Sequence, residues 1–513
     1  MTLNSDTIIQ EIRQEFTKLI DYVTNDAAQQ ATAYEIERGL FFWLLRLGAQ
    51  LLHLFFVARA ENFARTPLPL ENGTSLPYHA EKKRNYKSVF GRVPIWGPYF
   101  YQQGLDSRWP LAAALSLAED CYSDFLRELS EYVGVQLPYN LVCDLEARFL
   151  NISLSTRSLQ ELLAADSAAV EAYYAQKPPP PTAIEAEILV IQADGKGVPV
   201  IRETPAAATV RLQKGQKHGC KKEAVVTTVY TIAGAPRTPE AVIRSLFDQD
   251  TPQLDPPPKP QHKHLWATLE GKDTALARLA HQVETREGAH IQHRVALCDG
   301  CEALQKRIET HFPEFELLLD FIHPNEYLWD TANALLGENH PDRTAWVREK
   351  TLQMLRSQTT ALIEEFRQLA EQDSCTQPQR KQLLKTAGYF ERNLPYMDYV
   401  TYLARGWPIA SGVIEGACRH FVKDRMELSG MRWTLAGAEN LLRLRAVAEN
   451  GDWDPYHDFR RRQRHTRLYS TPYPGHLPEQ TMVADNNSDP AIAALATPWA
   501  MPSCISGCTA VAA

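Results

Sequence analysis

Apolar positions in the first third of the chain repeat at helical spacing, over residues 1–65 and again over 110–136. Between these stretches, residues 86–101 alternate aromatic and polar side chains among glycines and prolines, which predicts a small β-hairpin. Four prolines at 178–181 interrupt the pattern, and we predict a domain boundary there. The first region, residues 1–177, is therefore predicted to be mainly helical.

Two short helices at the end of this region resemble a helix-turn-helix, over about residues 138–176. A helix of about 12 residues follows Pro138, a short turn covers Asn151–Ser155, and Thr156 is expected to cap a second helix. This size and punctuation are typical of a DNA-binding helix-turn-helix, although any two-helix hairpin has the same pattern. Arg157, at the start of the second helix, is the predicted DNA contact.

Beyond the prolines, short apolar runs replace the helical spacing and predict β-strands. Three of these strands are expected to be antiparallel: 187–193, 198–202 and 223–233. A helix-like stretch follows at roughly 267–286, and then two buried strands, with a helix between them, end at Asp299 and Asp320. The order strand, strand, strand, helix, strand, helix, strand is the one expected of a ribonuclease H-like domain, whose mixed sheet is covered by helices.

Residues 324–405 have helical spacing and no strand signal, which predicts an all-helical insertion in this second domain. The domain is predicted to span 182–455, insertion included. From 468 to 513 the chain is rich in Pro, Ser, Asn and Ala without periodicity, which predicts a disordered tail. The predicted fold class is thus multidomain α+β, with a helical N-terminal region before an α/β domain.

The charge of the chain does not by itself indicate a nucleic-acid-binding protein, because the formal net charge is −8. A basic face can nevertheless coexist with an acidic remainder. Basic residues cluster in three places: 81–87, 211–222 and 459–467. Each cluster is by default a solvated face, and the three together favour a polyanionic partner only modestly.

The run "GLFFWLLRLGAQLLHLFFVARA" at 39–60 is apolar enough to suggest a membrane span, but Arg46, Gln50 and His53 lie inside it. An arginine near the centre of a membrane helix costs roughly 2.5–3.5 kcal/mol. We therefore predict a buried amphipathic helix, with a dimer interface as one use for it, and no membrane partner.

Nine cysteines without a signal peptide predict a reducing, cytoplasmic compartment. "CDGC" at 298–301 has the C-x-x-C spacing, but no second pair occurs at zinc-finger distance, so no structural zinc site is expected. A redox dithiol remains the alternative for this pair.

Two carboxylates follow apolar runs, Asp194 in "EILVIQADGKGVPVI" and Asp299 in "HRVALCDG". If their strands are parallel neighbours, both acids lie at one edge of the sheet. Two such acids repel, and one of them would hold a proton unless a cation sits between them. Magnesium prefers oxygen ligands, and two ions can serve an in-line phosphoryl displacement. We predict that Asp194 and Asp299 are metal ligands.

The third acid is expected from "GWPIASGVIEGACRHFVKDRMELSGMRW" at 406–433. Ser411 is expected to cap a helix, which places Glu415 in or just beyond its first turn, where the helix dipole favours an anion. Four basic residues follow and are predicted to contact DNA phosphates: Arg419, Lys423, Arg425 and Arg432. An ordinary Glu415–Arg419 helix pair on a solvated face is the alternative.

These motifs, together with "LLLDFIHPNEYLWDTANALLG", resemble the transposases of bacterial insertion sequences in the ISKra group, over about residues 85 to 460. The resemblance extends to the wider DDE transposases, whose ribonuclease H-like domain carries two aspartates and a glutamate. It implies metal-dependent DNA cleavage and strand transfer with two magnesium or manganese ions, held by Asp194, a second aspartate and Glu415. Relatives carry a cysteine motif near the hairpin that residues 86–104 lack, which puts a zinc site there in doubt.

The second aspartate is either Asp299 or Asp320. In related families with a helical insertion, an Asp-Gly motif on the fourth strand is catalytic and a separate motif ending in histidine follows it. Asp299 matches the first motif, whereas Asp320 and His323 match the second, so the resemblance implies that Asp299 is catalytic and that Asp320 and His323 support it. The reverse assignment stays open.

The sequence thus predicts a transposase that recognises the terminal inverted repeats of its element in double-stranded DNA and inserts the element into target DNA. A homodimer or higher oligomer on DNA is expected, in the cytoplasm of a bacterium and on its nucleoid when bound to DNA. Two alternatives are a structure-specific nuclease on the same fold and a domesticated DNA-binding regulator without catalysis.

Overall fold

The computed structural model describes residues 4–70, 73–201, 220–248, 258–469 and 471–474. The chain is a mixed α+β protein whose largest sheet has five strands, parallel and antiparallel. Its contacts form two units. One contains the described residues up to Tyr173 and those from Asp452 onward, and the other runs from Tyr174 to Gly451.

The first unit begins with two long helices, α1 (Ser5–Thr24) and α2 (Ala33–Glu61), with a 3-10 turn at Ala28–Gln30 between them. A capping box of Thr32 and Glu35 starts α2. The only buried residues of α2 are Phe56, Val57 and Ala60. The prediction of a buried helix is therefore wrong for the single chain, because most of its apolar side chains are half-buried or exposed.

Two small antiparallel pairs of strands follow: β1 (Leu68–Pro69) with β2 (Ser75–Leu76), and β3 (Tyr78–Ser88) with β4 (Gly91–Phe100). The hairpin predicted at 86–101 thus begins earlier, at Tyr78. Its charged stretch 81–87 hid the alternation, yet these residues pair in register with β4.

Five helices complete the N-terminal part: α3 (Pro110–Ala114), α4 (Asp124–Gln136), α5 (Tyr139–Leu150), α6 (Thr156–Ser167) and α7 (Val170–Gln176). The helices α5 and α6 are the predicted pair, and Asn151 ends α5 with a left-handed φ of 54°. The cap of α6 is Ser155, one residue before the predicted Thr156, because the Ser155 Oγ accepts the Ser158 N–H at 3.0 Å.

The second unit contains the five-stranded sheet, with strands β5 (Ile188–Val200), β6 (Cys220–Ile232), β7 (Gln261–Thr268), β8 (His293–Cys298) and β9 (Glu316–Leu319). The spatial order is β7-β6-β5-β8-β9. The first three strands are antiparallel, and β5, β8 and β9 are parallel.

The succession of elements matches the prediction except for an additional helix, Pro239–Phe247, between the second and third strands, and two of the strands also differ from it. The runs at 187–193 and 198–202 form one continuous strand, so Asp194 lies within β5 and not at its end. Gly195 and Gly197 do not turn, because each pairs with a residue of the long partner strand β6. The third strand is β7, which the sequence analysis missed.

Helices flank these strands along the chain: a 3-10 turn at Thr182–Ile184, then α8 (Pro239–Phe247), α9 (Lys272–Glu284) and α10 (Glu302–His311). The helix predicted at roughly 267–286 is α9, which is shorter because β7 extends to Thr268. One sheet face packs on α9 and α10 through Leu276 and Leu304.

The other face packs on a helical segment, as the sequence predicted for 324–405. This segment consists of α11 (Ile322–Leu336), α12 (Arg343–Leu355), α13 (Thr359–Glu371), α14 (Gln377–Asn393), a 3-10 turn at Leu394–Tyr396 and α15 (Tyr399–Ala404). Val190, Val295 and Leu318 of the sheet share one core with Phe366 and Phe390 of these helices.

The chain then forms α16 (Gly412–Ala417), a π-helix (Cys418–Lys423), α17 (Asp424–Met426), α18 (Leu435–Glu449) and α19 (Trp453–Leu468). The last helix belongs to the first unit. Its basic run 459–467 is not wholly a solvated face, since Arg460 and Arg464 are buried. Arg460 pairs with Asp166 at 3.0 Å and Arg464 with Asp124 at 2.8 Å. Residues 475–513 of the predicted tail lie outside the described residues, as do 211–219 of the second basic cluster.

Candidate active site

Three aspartates lie side by side on the parallel strands of the sheet. The last parallel pair of β5 and β8 is Ala193 with Cys298, so Asp194 and Asp299 are the next residues in register. The last pair of β8 and β9 is Cys298 with Leu319, which makes Asp320 the neighbour of Asp299, and the Asp320 N–H donates to the Cys298 carbonyl at 2.9 Å. Adjacent strands are about 4.8 Å apart, so the three acids share one edge of the sheet.

The alternation of side chains indicates that the three acids also share one face. Val190 and Leu297 belong to the core on the helical-segment side, and two or four residues further along a strand the side chain returns to the same face. Burial is the main cause that raises the pKa of Tyr389, a residue of that same core, and the charges of Asp299 and Asp320 add to the shift. Asp194 and Asp299 are half-buried, whereas Asp320 is fully buried.

Gln192 fixes α16 over this edge. It is fully buried, two residues before Asp194 in β5. Its Oε1 accepts the Ile414 N–H at 2.9 Å, and its Nε2 donates to the Tyr230 hydroxyl at 3.0 Å. A polar residue inside the run "ILVIQAD" was the sequence signal for this anchor, and the sequence analysis did not use it.

Glu415 extends from α16 towards Asp320. The Ser411 hydroxyl donates to Glu415 Oε1 at 2.7 Å, and the Ser411 N–H donates to Asp320 Oδ1 at 2.6 Å. Ser411 is thus the N-cap residue, as predicted, but its hydroxyl binds a carboxylate and not a backbone N–H of the helix. Glu415 is half-buried, which leaves it accessible from solvent.

The tightest group of potential metal ligands is Asp320, His323 and Glu415, whose ligand atoms all lie within 4.8 Å of one another. Among the described residues, the predicted set Asp194, Asp299 and Glu415 does not reach that mutual spacing. The structure therefore brings Glu415 next to the supporting pair, with Asp194 and Asp299 beside it on the same edge.

Asp320 is already saturated with hydrogen bonds. Its Oδ2 accepts the backbone N–H groups of Ile322 and His323, at 3.1 and 3.2 Å, and the His323 Nδ1 at 2.8 Å. Its Oδ1 accepts from Ser411. The hydrogen bond with Asp320 raises the pKa of His323 to about 9, against the effect of burial, and Asp299 contributes to the shift. Near neutral pH the imidazole is therefore a cation that compensates the buried Asp320.

Asp299 keeps more acceptor capacity than Asp194, whose Oδ1 accepts the Gly195 N–H at 2.6 Å. Asp299 Oδ1 accepts the Cys301 N–H at 3.0 Å, and among the described residues no hydrogen bond reaches its Oδ2. Asp194 Oδ2 accepts the Cys418 thiol at 3.2 Å. Burial, and then the Asp194 charge, raises the pKa of Cys418, so this thiol stays protonated and remains a donor.

The cysteines of the C-x-x-C motif have no disulfide. Cys298 is buried, and burial followed by the Asp299 charge raises the pKa of its thiol well above the ordinary value. A thiol with a raised pKa is a poor nucleophile and a poor redox group. These properties disfavour the dithiol alternative.

The basic residues predicted to contact DNA do not all reach solvent. Arg419, Lys423 and Arg432 are exposed, and none of them takes part in an ion pair with a described residue. Arg425 is buried, with its guanidinium 5.1 Å from the centre of the Trp433 ring. The prediction that Arg425 contacts phosphate is therefore wrong, because its side chain does not reach solvent.

The expected i, i+4 face of Glu415 and Arg419 is also absent, because the chain forms a π-helix over Cys418–Lys423. A π turn widens the helix and changes the direction of the side chains that follow. Buried Arg445 donates to the carbonyls of His420 and Phe421, both at 2.7 Å. On the first unit, Arg157 is exposed and pairs with Glu161 of the same helix at 2.9 Å.

The donor set at the sheet edge fits a hard divalent cation. It consists of carboxylate oxygens, which Mg²⁺ and Mn²⁺ prefer, and in Asp299 and Glu415 one oxygen has no described donor. Asp194, Asp299 and Glu415 could hold such ions, and among the described residues Asp320, His323 and Glu415 form the group whose ligand atoms lie within 4.8 Å of one another.

Comparison with models of protein families found no match, and comparison with curated proteins found none either.

Proposed function

We propose that the protein is a DDE-type transposase and that its second unit is a ribonuclease H-like catalytic domain. The observation that carries the proposal is the convergence of Asp194 and Asp299, on neighbouring parallel strands, with Glu415 on a helix that Gln192 anchors above the same edge. The strand order, three antiparallel strands followed by two parallel ones, is the order expected of that domain.

In this proposal Asp194, Asp299 and Glu415 would hold two magnesium or manganese ions, which would activate the attacking oxygen and stabilise the leaving oxygen of a phosphodiester. Water would attack the phosphorus at the element end and break its P–O3′ bond, which leaves a 3′-hydroxyl on the element and a 5′-phosphate on the flanking strand. That 3′-hydroxyl would then attack a phosphodiester of the target, where a new P–O3′ bond forms and the target strand's own 3′-oxygen leaves. Asp320 and His323 are positioning residues, because their hydrogen bonds with Ser411 and with each other fix the approach of Glu415.

DNA contacts are assigned by exposure and charge. Three exposed basic residues follow Glu415 in the chain and can contact DNA phosphates: Arg419, Lys423 and Arg432. Phosphate contacts of this kind position the DNA but do not recognise its base sequence. Arg157 opens the second helix of the proposed helix-turn-helix, where the N-terminal residues of a recognition helix reach base edges.

The test is an excision and insertion assay on a donor plasmid. A marker is placed between the two DNA segments that flank this gene in its genome, and the protein is supplied separately. Wild type should excise and join the marker in the presence of Mg²⁺. Asp194→Asn and Glu415→Gln should each reduce the frequency at least 1000-fold while gel-shift binding to the flanking DNA is retained.

Glu302→Gln is the matched control, because Glu302 is an exposed acid with only a Lys306 partner. It should behave as wild type. Cutting without joining of a pre-cut 3′ end would favour the nuclease alternative. Specific binding with no cutting in Mg²⁺ or Mn²⁺ would favour the DNA-binding regulator.

A further inference from the structure

One face of α2 exposes large apolar side chains in a regular row. Phe41, Leu44, Leu51 and Phe55 are 43%, 55%, 49% and 49% exposed. Successive members of this row are three, seven and four residues apart. This spacing is that of alternating a and d positions of a heptad repeat, and Gly48 occupies the a position between the two leucines. We call these five residues the α2 stripe.

The α2 stripe faces away from the rest of its own unit. Helix α1 packs on another side of α2, where the Tyr22 ring covers Gly39 and Glu15 pairs with Arg46. A third side of α2 packs through Phe56 on the core that it shares with the β3–β4 hairpin. At an angular step of about 100° per residue, the stripe lies roughly opposite the Gly39 side. The four apolar side chains of the stripe are therefore about half exposed, and the Phe90 ring lies against the fifth member, Gly48.

The stripe is nearly symmetric about Gly48, in charge as well as in apolar residues. Read in either direction, an ionic residue is followed by Phe, Leu, Gly, Leu, Phe and a second ionic residue. The members are Glu37, Phe41, Leu44, Gly48, Leu51, Phe55 and Arg59. Glu37 and Arg59 lie eleven residues on either side of Gly48, both are exposed, and neither takes part in an ion pair with a described residue.

We propose that α2 pairs in antiparallel orientation with α2 of a second copy of this chain, around a two-fold axis near Gly48. Phe41 of one copy then lies beside Phe55 of the other, and the leucines meet between them. Glu37 and Arg59 form an interchain ion pair at each end. A parallel pair would place like charges together instead, which is unfavourable.

The Phe90 ring fills the space beside Gly48 and so forms part of the proposed contact. A Cβ built at Gly48 would lie 2.6 Å from the Phe90 ring, so the ring rests directly on the backbone there. Phe90 is itself 39% exposed and closes the gap in the stripe. When the α2 helices of two copies pair near Gly48, both Phe90 rings lie in the interface, and each ring packs on apolar side chains of the other copy.

The surface is large enough for a weak to moderate dimer. Four half-exposed side chains of this size, together with Phe90, leave on the order of 400 Å² of apolar surface on each copy. Pairing two copies removes about 800 Å², and the flanking residues of the paired helices bring the total to the roughly 1,000 Å² that a specific interface needs.

A lipid bilayer is the competing occupant, because α2 is long and apolar enough to cross a membrane by length and composition. The partner helix α1 disfavours it. α1 lies along α2 and carries Arg13, Glu15, Lys18 and Asp21, and insertion of α2 would strip α1 away or carry these charges into lipid. A two-fold pair keeps α1 in water and covers the stripe.

The experiment is sedimentation equilibrium of the full chain without DNA. Wild type should sediment at twice the chain mass at micromolar concentration. Leu44→Glu should weaken the dimer at least 100-fold. Leu384→Glu is the matched control, since Leu384 is 49% exposed on α14 and should leave the dimer unchanged. Circular dichroism checks that both variants are folded.

The orientation is tested by charge reversal. Glu37→Arg or Arg59→Glu alone should weaken the dimer at least 5-fold, and the double variant should restore it. A wild type that stays monomeric at 100 μM, or a Leu44→Glu protein that dimerises normally, would overturn the proposal. So would binding of wild type to phosphatidylcholine–phosphatidylglycerol vesicles that Leu44→Glu abolishes. None of these outcomes depends on transposase activity.

Discussion

The two candidate second acids, Asp299 and Asp320, differ in how many of their lone pairs are taken. Asp320 is buried and accepts four hydrogen bonds, whereas Asp299 is half-buried and keeps an oxygen atom without a described donor. A metal ligand that meets substrate needs free lone pairs and access from solvent. In the proposed mechanism this difference assigns catalysis to Asp299 and a positioning role to Asp320.

This difference predicts opposite outcomes for two conservative variants. Asp299→Asn should reduce cleavage at least 1000-fold with little change in melting temperature. Asp320→Asn removes the charge that His323 and Ser411 bind, and should lower the free energy of unfolding by about 3 kcal/mol. Paired thermal melts and excision assays measure both. If Asp320→Asn lost as much activity as Asp299→Asn and no stability, Asp320 and not Asp299 would be the second catalytic acid.

Gln192 is the residue whose removal should disconnect α16 from the sheet. Gln192→Leu leaves the Ile414 N–H and the Tyr230 hydroxyl buried without partners, at a cost of about 2–4 kcal/mol. Tyr230→Phe is the control, since it keeps the bond to α16 and should cost about 1 kcal/mol. Chemical denaturation gives both values, and equal losses would mean that the link to Ile414 has no special weight.

At the scale of elements, the π-helix after Glu415 needs Arg445. A π turn leaves backbone carbonyls in unusual directions. Arg445, a buried residue of α18, donates hydrogen bonds to two of these carbonyls. Burial lowers the pKa of Arg445 to about 10. It remains a cation and a donor near neutral pH.

Arg445→Met should therefore lower the free energy of unfolding by about 3 kcal/mol, because two carbonyls lose their donors inside the protein. Arg443→Met, two residues earlier on α18 and less buried, is the control and should cost less than about 1 kcal/mol. Urea denaturation compares the two. A small effect of Arg445→Met would show that the π-helix is held by packing alone.

Sequence patterns predicted the elements with long apolar runs and missed those whose signal is mixed. β8 and β9 were found because each run is continuous and ends at an acid. β7 was missed because its first half, "QHKH", is polar and follows prolines, and its pairing with β6 is what makes it a strand. The break predicted between the strands 187–193 and 198–202 did not form for the same reason, since long-range pairing with β6 overrides the preference of glycine for turns.

The residues of the candidate site could likewise be predicted only where their position relative to an apolar run gave a clear signal. Asp194, Asp299 and Glu415 could be singled out because their positions relative to apolar runs place carboxylates at one edge. The burial of Arg425 and Asp320 could not be predicted, because it depends on packing between segments far apart in sequence. Gln192 was readable in principle, as a polar residue in a core strand.

For the whole molecule, two buried histidines make stability depend on pH. Burial is the main cause that lowers the pKa of both His264 and His457 to about 3, one in each unit. An unfolded chain protonates histidine near pH 6.5, whereas the folded protein does not until about pH 3. The contribution to stability is thus fully present above pH 6.5 and is lost as pH falls towards 3.

Each histidine should lower the free energy of unfolding by about 2 kcal/mol between pH 7.5 and pH 5. His457→Gln should remove that part of the pH dependence, whatever its effect at pH 7.5. Denaturant titrations at the two pH values give the difference. If the free energy of unfolding fell by the same amount between the two pH values in wild type and in His457→Gln, His457 would be protonated in the folded protein.

The measurement that tests the central claim most directly is a crystal structure of the protein in Mn²⁺, with data collected at the manganese absorption edge. The account predicts two anomalous peaks about 3.5–4 Å apart, in contact with Asp194, Asp299 and Glu415. A single peak held by Asp320, His323 and Glu415, or no peak at this edge of the sheet, would contradict it.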